Sequence, residues 1–334
     1  MSIHPHASPL LRDVKRISRV IFYFMTLKPI YQKPHISTAE QLKHLTTKGL
    51  RVDDAVKAEK FLQRVSYYRF KGYALSFRHL TLPDKPFKSG VCFDDIARMM
   101  RLDENLRLVL LAGLQVIEIA IRTQLNEILT QRYGIRWYAD PLNFRVIAPR
   151  ARGSKPPFDH AEFLTRCKKE FIRSSSELFV NHYRNTYDDS HAAPSWMLVE
   201  TMTLGTWSSA YNYLQDNRAR DELAQFYGVH RDVLTSWLHS LTVLRNICAH
   251  HGRIWDRELA VQPKIPHSVA SPYPFLSNSR LGPLLFVMNQ MLRKIDPDLR
   301  WVNQLKVFLN HYWPDELQYL GLEKRWYSHP SMQP

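Results

Sequence analysis

The sequence predicts an all-α fold, on three observations. Glycine is scarce, 11 in 334 residues, so a many-turned β architecture lacks its usual corners. Apolar residues recur at helical spacing in several long stretches, whereas alternating strand patterns are few. Hydrophobic residues make up 45% of the chain and aromatics 12%, enough to bury a sizeable core. No internal repeat and no low-complexity tract interrupts this pattern.

Taken in order, residues 1–35 form a basic arm with six lysines and arginines and one acid. Ser37-Thr38-Ala39-Glu40 reads as a capping box, which opens a helix carrying Leu42 and Leu45 inward and closing near Gly49. A second short helix starts near Asp53-Asp54 and runs through Ala58, Phe61, Leu62 and Val65. It leads into the aromatic, basic stretch Ser66 to Tyr73. Aromatics at this spacing usually belong to a core, although Tyr68 and Arg69 could also stack on bases. Pro83, Pro86 and Gly90 mark a loop. Asp94 or Asp95 caps the next helix, and a long helix is expected over about residues 103–132. Its stripe is Leu106, Val109, Leu110, Leu114, Ile117, Ile121, Leu125 and Ile128, and Gly134 ends it. On this helix Glu118 and Arg122 stand four apart, the spacing of a structural ion pair; the alternative is that Arg122 borders an active cleft. Residues 145–173 carry Arg145, Arg150, Arg152, Lys155, Lys168 and Lys169 among eight cations against three acids, and prolines keep the first part from being helical. A basic loop of this kind suits phosphate contacts. After Pro194 one helix is expected from Trp196 to Tyr213-Leu214, then a short one over 219–228, then an apolar-periodic helix from Val233 to Cys248. Pro263, Pro266, Pro272, Pro274 and Pro283 mark irregular wrapping, before two last helices at about 283–294 and 298–311.

The charge is lopsided, with 46 Lys+Arg against 31 Asp+Glu and a net charge of +15. A field of that sign attracts polyanions, and nucleic acid is the commonest partner. The three cysteines, Cys92, Cys167 and Cys248, are widely spaced and form no CxxC pair, so neither a disulfide framework nor a zinc ribbon is indicated. The run Val20 to Met25 is too short to span a bilayer, and no small-residue cleavage site follows it. A soluble cytoplasmic protein with no membrane partner is therefore expected.

The candidate chemistry lies where the Val233–Cys248 stripe runs into Arg245-Asn246-Ile247-Cys248-Ala249-His250-His251-Gly252-Arg253. On a helix Asn246 and His250 are one turn apart and share a face. Arg245 and His250 stand about 140° apart around the axis. A single copy therefore does not clamp a substrate by itself, but two copies meeting across a two-fold axis could. Gly252 is expected to stop the helix. Histidine shuttles protons near neutral pH, and arginine offers a rigid fork of donors to a phosphate whose charge grows in a transition state. Asn246 could hold a phosphate oxygen or orient the imidazole. These groups suit RNA cleavage with the 2′-OH as nucleophile, needing neither metal nor other cofactor. His251 and Arg253 are supporting candidates, as are Glu118 and Arg122. Cys248, His250 and His251 lack the distant partners that a metal site requires.

The Arg-Asn-x-x-x-His pattern resembles the motif of HEPN ribonucleases, and the flanking segments narrow the likeness. Tyr67-Tyr68-Arg69 with Gly72-Tyr73, Phe93-Asp94-Asp95-Ile96, Asp103 with Leu106-Arg107, Ile117-Glu118-Ile119 with Arg122, Trp196 with Glu200 and Gly205, and Trp237-Leu238 before the motif look like the Abi-like (abortive infection) proteins of the AbiD/AbiF type. The likeness spans about residues 31–265. Asp256 stands where Asn would be expected between Trp255 and Arg257, and Ala193-Pro194-Ser195-Trp196 replaces a Pro-Pro-x-Trp.

The resemblance implies a HEPN-like helical bundle with an N-terminal helical extension and additional C-terminal helices. The segments would be a basic arm over 1–35, the extension over 36–80, a core carrying the motif over 93–262, and a proline-rich wrap with C-terminal helices over 263–334. It implies a homodimeric, metal-independent endoribonuclease of phage defence with Arg245, Asn246 and His250 as catalytic residues. A small structured non-coding RNA acting as antitoxin is a further implied partner. The competing expectation is a non-catalytic RNA-binding or regulatory protein in which the motif only grips RNA.

Overall fold

A computed structural model describes residues 32, 34–147, 157–187, 193–266 and 275–333. Residues 1–31 and 33 of the basic arm, with the run Val20 to Met25, lie outside them, as do Arg150, Arg152 and Lys155. Among the described residues the fold is all-α, with no strand beyond isolated bridges.

Three short helices come first: α1 (Thr38–Thr47), α2 (Ala55–Val65) and α3 (Tyr67–Ala74). The capping box forms as the sequence requires, the Glu40 carboxylate accepting from the Ser37 N–H at 2.7 Å. Asp54 caps α2 by accepting from the Lys57 N–H at 2.9 Å. Between α2 and α3 the backbone turns sharply at Ser66, where φ is 64°.

The centre of the molecule is α4 (Phe93–Tyr133), 41 residues in one helix and about 60 Å long at 1.5 Å per residue. It begins ten residues earlier than the sequence pattern suggested. No glycine or proline lies between Phe93 and Asp103, and buried Ile96, Met99 and Met100 carry the stripe on into Leu106. The start is held by Asp95, which accepts from the Cys92 N–H at 2.8 Å. Asp94 instead meets Lys57 at the surface. Gly134, at φ 79°, ends the helix as expected.

The next two helices, α5 (His160–Arg173) and α6 (Leu178–Thr186), are followed by α7 (Ser195–Thr201) and α8 (Leu204–Tyr213). The single helix expected from Trp196 to Leu214 is thus two. Thr203 adopts extended backbone and caps α8 with its side chain, which breaks the helix there. Then come α9 (Asn217–Phe226), the motif helix α10 (Arg231–Ala249), α11 (Gly282–Ile295) and α12 (Trp301–Leu309). Helix α4 packs against α3, α7, α8, α9, α10, α11 and α12, while α10 also rests on α8, α9 and α11. Helix α4 is long and apolar enough, by length and composition, to cross a membrane. In this fold Leu106, Leu110, Leu114, Ile117, Ile121, Leu125 and Leu129 are buried, on a helix packed against its neighbours, while Leu108 and Ile119 stay exposed.

Where α4 crosses α11 and α12 the contact depends on Gly113. A Cβ there would lie 2.9 Å from both Met288 Cε and Trp301 Nε1. The Trp301 indole cannot swing away freely, because its N–H donates to the Val109 carbonyl at 3.0 Å. Gly113→Ala should therefore lower stability by about 1–3 kcal/mol, read as a shifted urea midpoint with unchanged slope. An unchanged midpoint would show that the crossing relaxes at no cost.

Candidate functional site

Helix α10 delivers the motif to the surface in its last turn and a half. Asn246 and His250 are both exposed and stand one turn apart, as their spacing requires. Arg245 is half-buried and turned toward α4, its Nε 3.6 Å from the Glu118 carboxylate. The structure thus keeps Arg245 off the Asn246–His250 face within one chain.

The helix closes in a Schellman turn. The His251 N–H donates to the Cys248 carbonyl at 3.1 Å, and the Gly252 N–H to the Ile247 carbonyl at 2.7 Å. The left-handed residue is His251, with φ 57°. Gly252 is therefore not the conformational stop. It is glycine for room, since a Cβ would sit 3.0 Å from Ile247 Cγ2 and 3.1 Å from the Ile247 carbonyl oxygen. A left-handed non-glycine residue costs about 1–2 kcal/mol, so neighbouring contacts must hold His251 there.

Those contacts come from the first half of the chain. Arg69 on α3 donates to the His251 carbonyl at 2.7 Å. Arg107 on α4 donates to the Gly252 carbonyl at 3.3 Å. The fully buried Asp103 accepts from the Trp255 N–H at 2.8 Å and from the Ile254 N–H at 3.2 Å. The same carboxylate takes the Tyr73 phenol hydroxyl and the Arg107 guanidinium, both at 2.5 Å. Burial, with Asp103 beside it, pushes the Tyr73 phenol well above its ordinary range. Burial also opposes the charge on Arg107, but Asp103 and Tyr73 more than offset that and raise its pKa. One carboxylate on the central helix therefore fixes the backbone just beyond the histidines. Asp103 and Arg107 stand four apart, the spacing of a helical ion pair. Their contacts with the turn, 151 and 145 residues away in sequence, leave no spacing pattern, so their part in holding it was legible only through the family likeness.

The supporting candidates take structural places. Arg253 folds back to donate to the carbonyls of Trp255 and Asp256. Glu118 and Arg122 do not pair with each other, contrary to their spacing. Glu118 accepts from the Leu204 N–H at 2.9 Å as well as meeting Arg245, and Arg122 donates to Glu200 at 2.7 Å. Tertiary partners at the α7–α8 break offer each group a backbone end or an opposite charge, which an i,i+4 pair does not replace. Asp256, at φ 48°, occupies a left-handed position that Asn and Asp both tolerate. Its charge is met by Arg280 at 2.6 Å.

The more distant basic candidates are dispersed. Arg145 is tied down, donating to the Asn212 carbonyl. Lys168 and Lys169 stand exposed on α5, which packs on α7. Tyr68 is 72% exposed, so the core reading fails for it and holds for Phe70 and Tyr73. The Lys71 ammonium lies 5.7 Å from the Tyr68 ring centre.

Cys248 is buried while His250 and His251 are exposed. Burial pushes the Cys248 and Cys167 thiols up to about 12. Both should resist an aromatic disulfide reagent at pH 8 in the native protein and react on denaturation. Fast native labelling of Cys248 would contradict this packing.

No curated protein and no solved structure matches the chain. The sequence profile of the Abi-like protein family does, over residues 60–256, a span that begins in α2, takes in Tyr73, Asp103, Arg107 and Glu118, and ends just past the anchored turn. On that match, which covers more than half of its length, the chain belongs to the Abi-like protein family.

Proposed function

We propose that this chain is a HEPN-type endoribonuclease of phage defence, acting as a homodimer and without metal. Membership of the Abi-like family supports the defence role. The observation that carries the chemistry is the exposed Asn246–His250 pair, set on one face immediately before a turn that Asp103, Arg107 and Arg69 hold in place. A rigid support is what a proton-transfer group needs to keep its geometry.

The reaction follows from the groups. An imidazole takes the proton of an RNA 2′-OH, and the oxygen attacks the adjacent phosphorus. The P–O5′ bond breaks, leaving a 2′,3′-cyclic phosphate, and a proton passes to the departing 5′ oxygen. Arginine neutralises the charge that grows on the phosphoryl oxygens. Because Arg245 diverges from His250 within one chain, the second copy supplies the complementary set across a two-fold axis. Glu118 holds Arg245 until a phosphate competes for it. A small structured RNA that restrains the enzyme fits the basic charge.

The test uses total RNA in EDTA with wild type and His250→Ala. Cleavage leaving cyclic-phosphate ends should fall about 10²–10⁴-fold in the variant. Equal RNA binding by both proteins with cleavage by neither would favour the non-catalytic RNA-binding reading instead. A requirement for divalent metal would overturn the mechanism.

A further inference from the structure

A cavity of about 770 Å³ opens between α2, α3, α4 and the end of α10. That size lies within the range of about 300–1,000 Å³ typical of small-molecule sites. It is bounded on the α10 side by Cys248, Ala249 and His251, away from the face that carries Asn246 and His250. Much of its wall is apolar, supplied by Phe61, Val65, Met100, Leu108 and Leu111. Around that wall stand four arginines, Arg64, Arg69, Arg101 and Arg107, against the single carboxylate of Glu104.

The cations are not equivalent. Arg107 is matched from behind by Asp103, and Arg69 is engaged with the His251 carbonyl. Arg64 and Arg101 are exposed and have no carboxylate partner among the described residues. The Arg64 guanidinium already lies over the Phe61 ring, 5.3 Å from its centre, which sets a planar surface at the wall. A simple anion would leave the apolar walls unused. A wholly apolar ligand would bring nothing to the arginines. A flat, largely apolar ring joined to a phosphate satisfies both.

We infer that this cavity binds a nucleotide unit, its base against Phe61, Met100 and Leu108 and its phosphate among Arg64, Arg69 and Arg101. Glu104 is the acceptor available for an exocyclic amine of the base. Because Arg69 borders the cavity and also holds the His251 carbonyl, an occupant reaches the turn that follows His250. The unit is either a free nucleotide or one residue of an RNA strand, since the recognising chemistry is the same.

Calorimetry on the full chain separates these, and needs no RNA cleavage, so it is independent of the proposed catalysis. The probes are AMP, CMP, UMP, adenosine, inorganic phosphate and a 2′-O-methyl oligonucleotide that cannot be cut. One site per chain is expected, binding AMP or CMP at least about tenfold more tightly than adenosine or phosphate. The double variant Arg64→Ala/Arg101→Ala changes two exposed residues, which a circular-dichroism melt would confirm leaves the fold intact. It should weaken binding about tenfold or more. Binding of the oligonucleotide alone, lost in the same variant, places the unit within a strand and still supports the site. Affinity unchanged in the double variant, phosphate binding as tightly as AMP, or no saturable binding of any probe overturns the assignment. Equal affinity for CMP and UMP removes the role given to Glu104.

Discussion

Replacing Asp103 by alanine should destabilise the fold by about 3–5 kcal/mol, the cost of stranding a buried charge. Its partner Arg107 has a side chain only 5% exposed, so water cannot take over the lost carboxylate. The same change orphans the Ile254 and Trp255 N–H groups and the Tyr73 hydroxyl, each of which donates to Asp103. A urea titration measures the loss as a shifted midpoint. Asp103→Leu combined with Arg107→Met should be less damaging than Asp103→Ala alone, because the pair leaves together. If the double change is as damaging as the sum of the two singles, the interaction between them is weaker than the geometry indicates. The turn after His250 loses its anchor in either case, so the RNA cleavage proposed above should fall in Asp103→Ala even at temperatures where the protein remains folded.

Mixing two inactive variants should restore activity that neither has alone. Arg245→Ala keeps His250, and His250→Ala keeps Arg245. In a cleft shared across a two-fold axis, a hybrid dimer assembles one of each. Co-refolded or co-expressed variants should then cleave RNA roughly tenfold or more faster than either parent. A dead mixture of demonstrably hybrid dimers would mean that each chain carries a self-sufficient site. The structure would then have to bring Arg245 round to His250 by releasing it from Glu118. Replacing Glu118 by glutamine is the control for that release, since it removes the charge held 3.6 Å from Arg245.

Local features are the most legible part of the sequence. Ser37 and Glu40 announce α1, Gly134 announces the end of α4, and the spacing of Asn246 and His250 announces their common face. All three depend on residues within a few positions of one another. The start of α4 is easily misplaced because two aspartates at its head look like the cap of a separate element, although nothing between Phe93 and Asp103 interrupts a helix. The pairing of Glu118 is misplaced for the opposite reason. Its spacing to Arg122 is favourable, but the Leu204 N–H and Arg245, both remote in sequence, compete better. In the cradle of Asp103, Arg107, Tyr73 and Arg69 the i,i+4 spacing of Asp103 and Arg107 is local, but the contacts with the turn after His250 have no local signature. Each member reads as an ordinary helix residue until the chain folds back from position 251.

The left-handed backbone at His251 also separates two residues that the sequence writes as a pair. On the function proposed above, position 250 is chosen for what an imidazole does, whereas position 251 is chosen for a handedness that Asn or Gly would meet as well. Related chains should therefore drift at 251 among histidine, asparagine and glycine while holding 250 fixed. The doubled histidine is then a coincidence of two independent selections and not one catalytic unit.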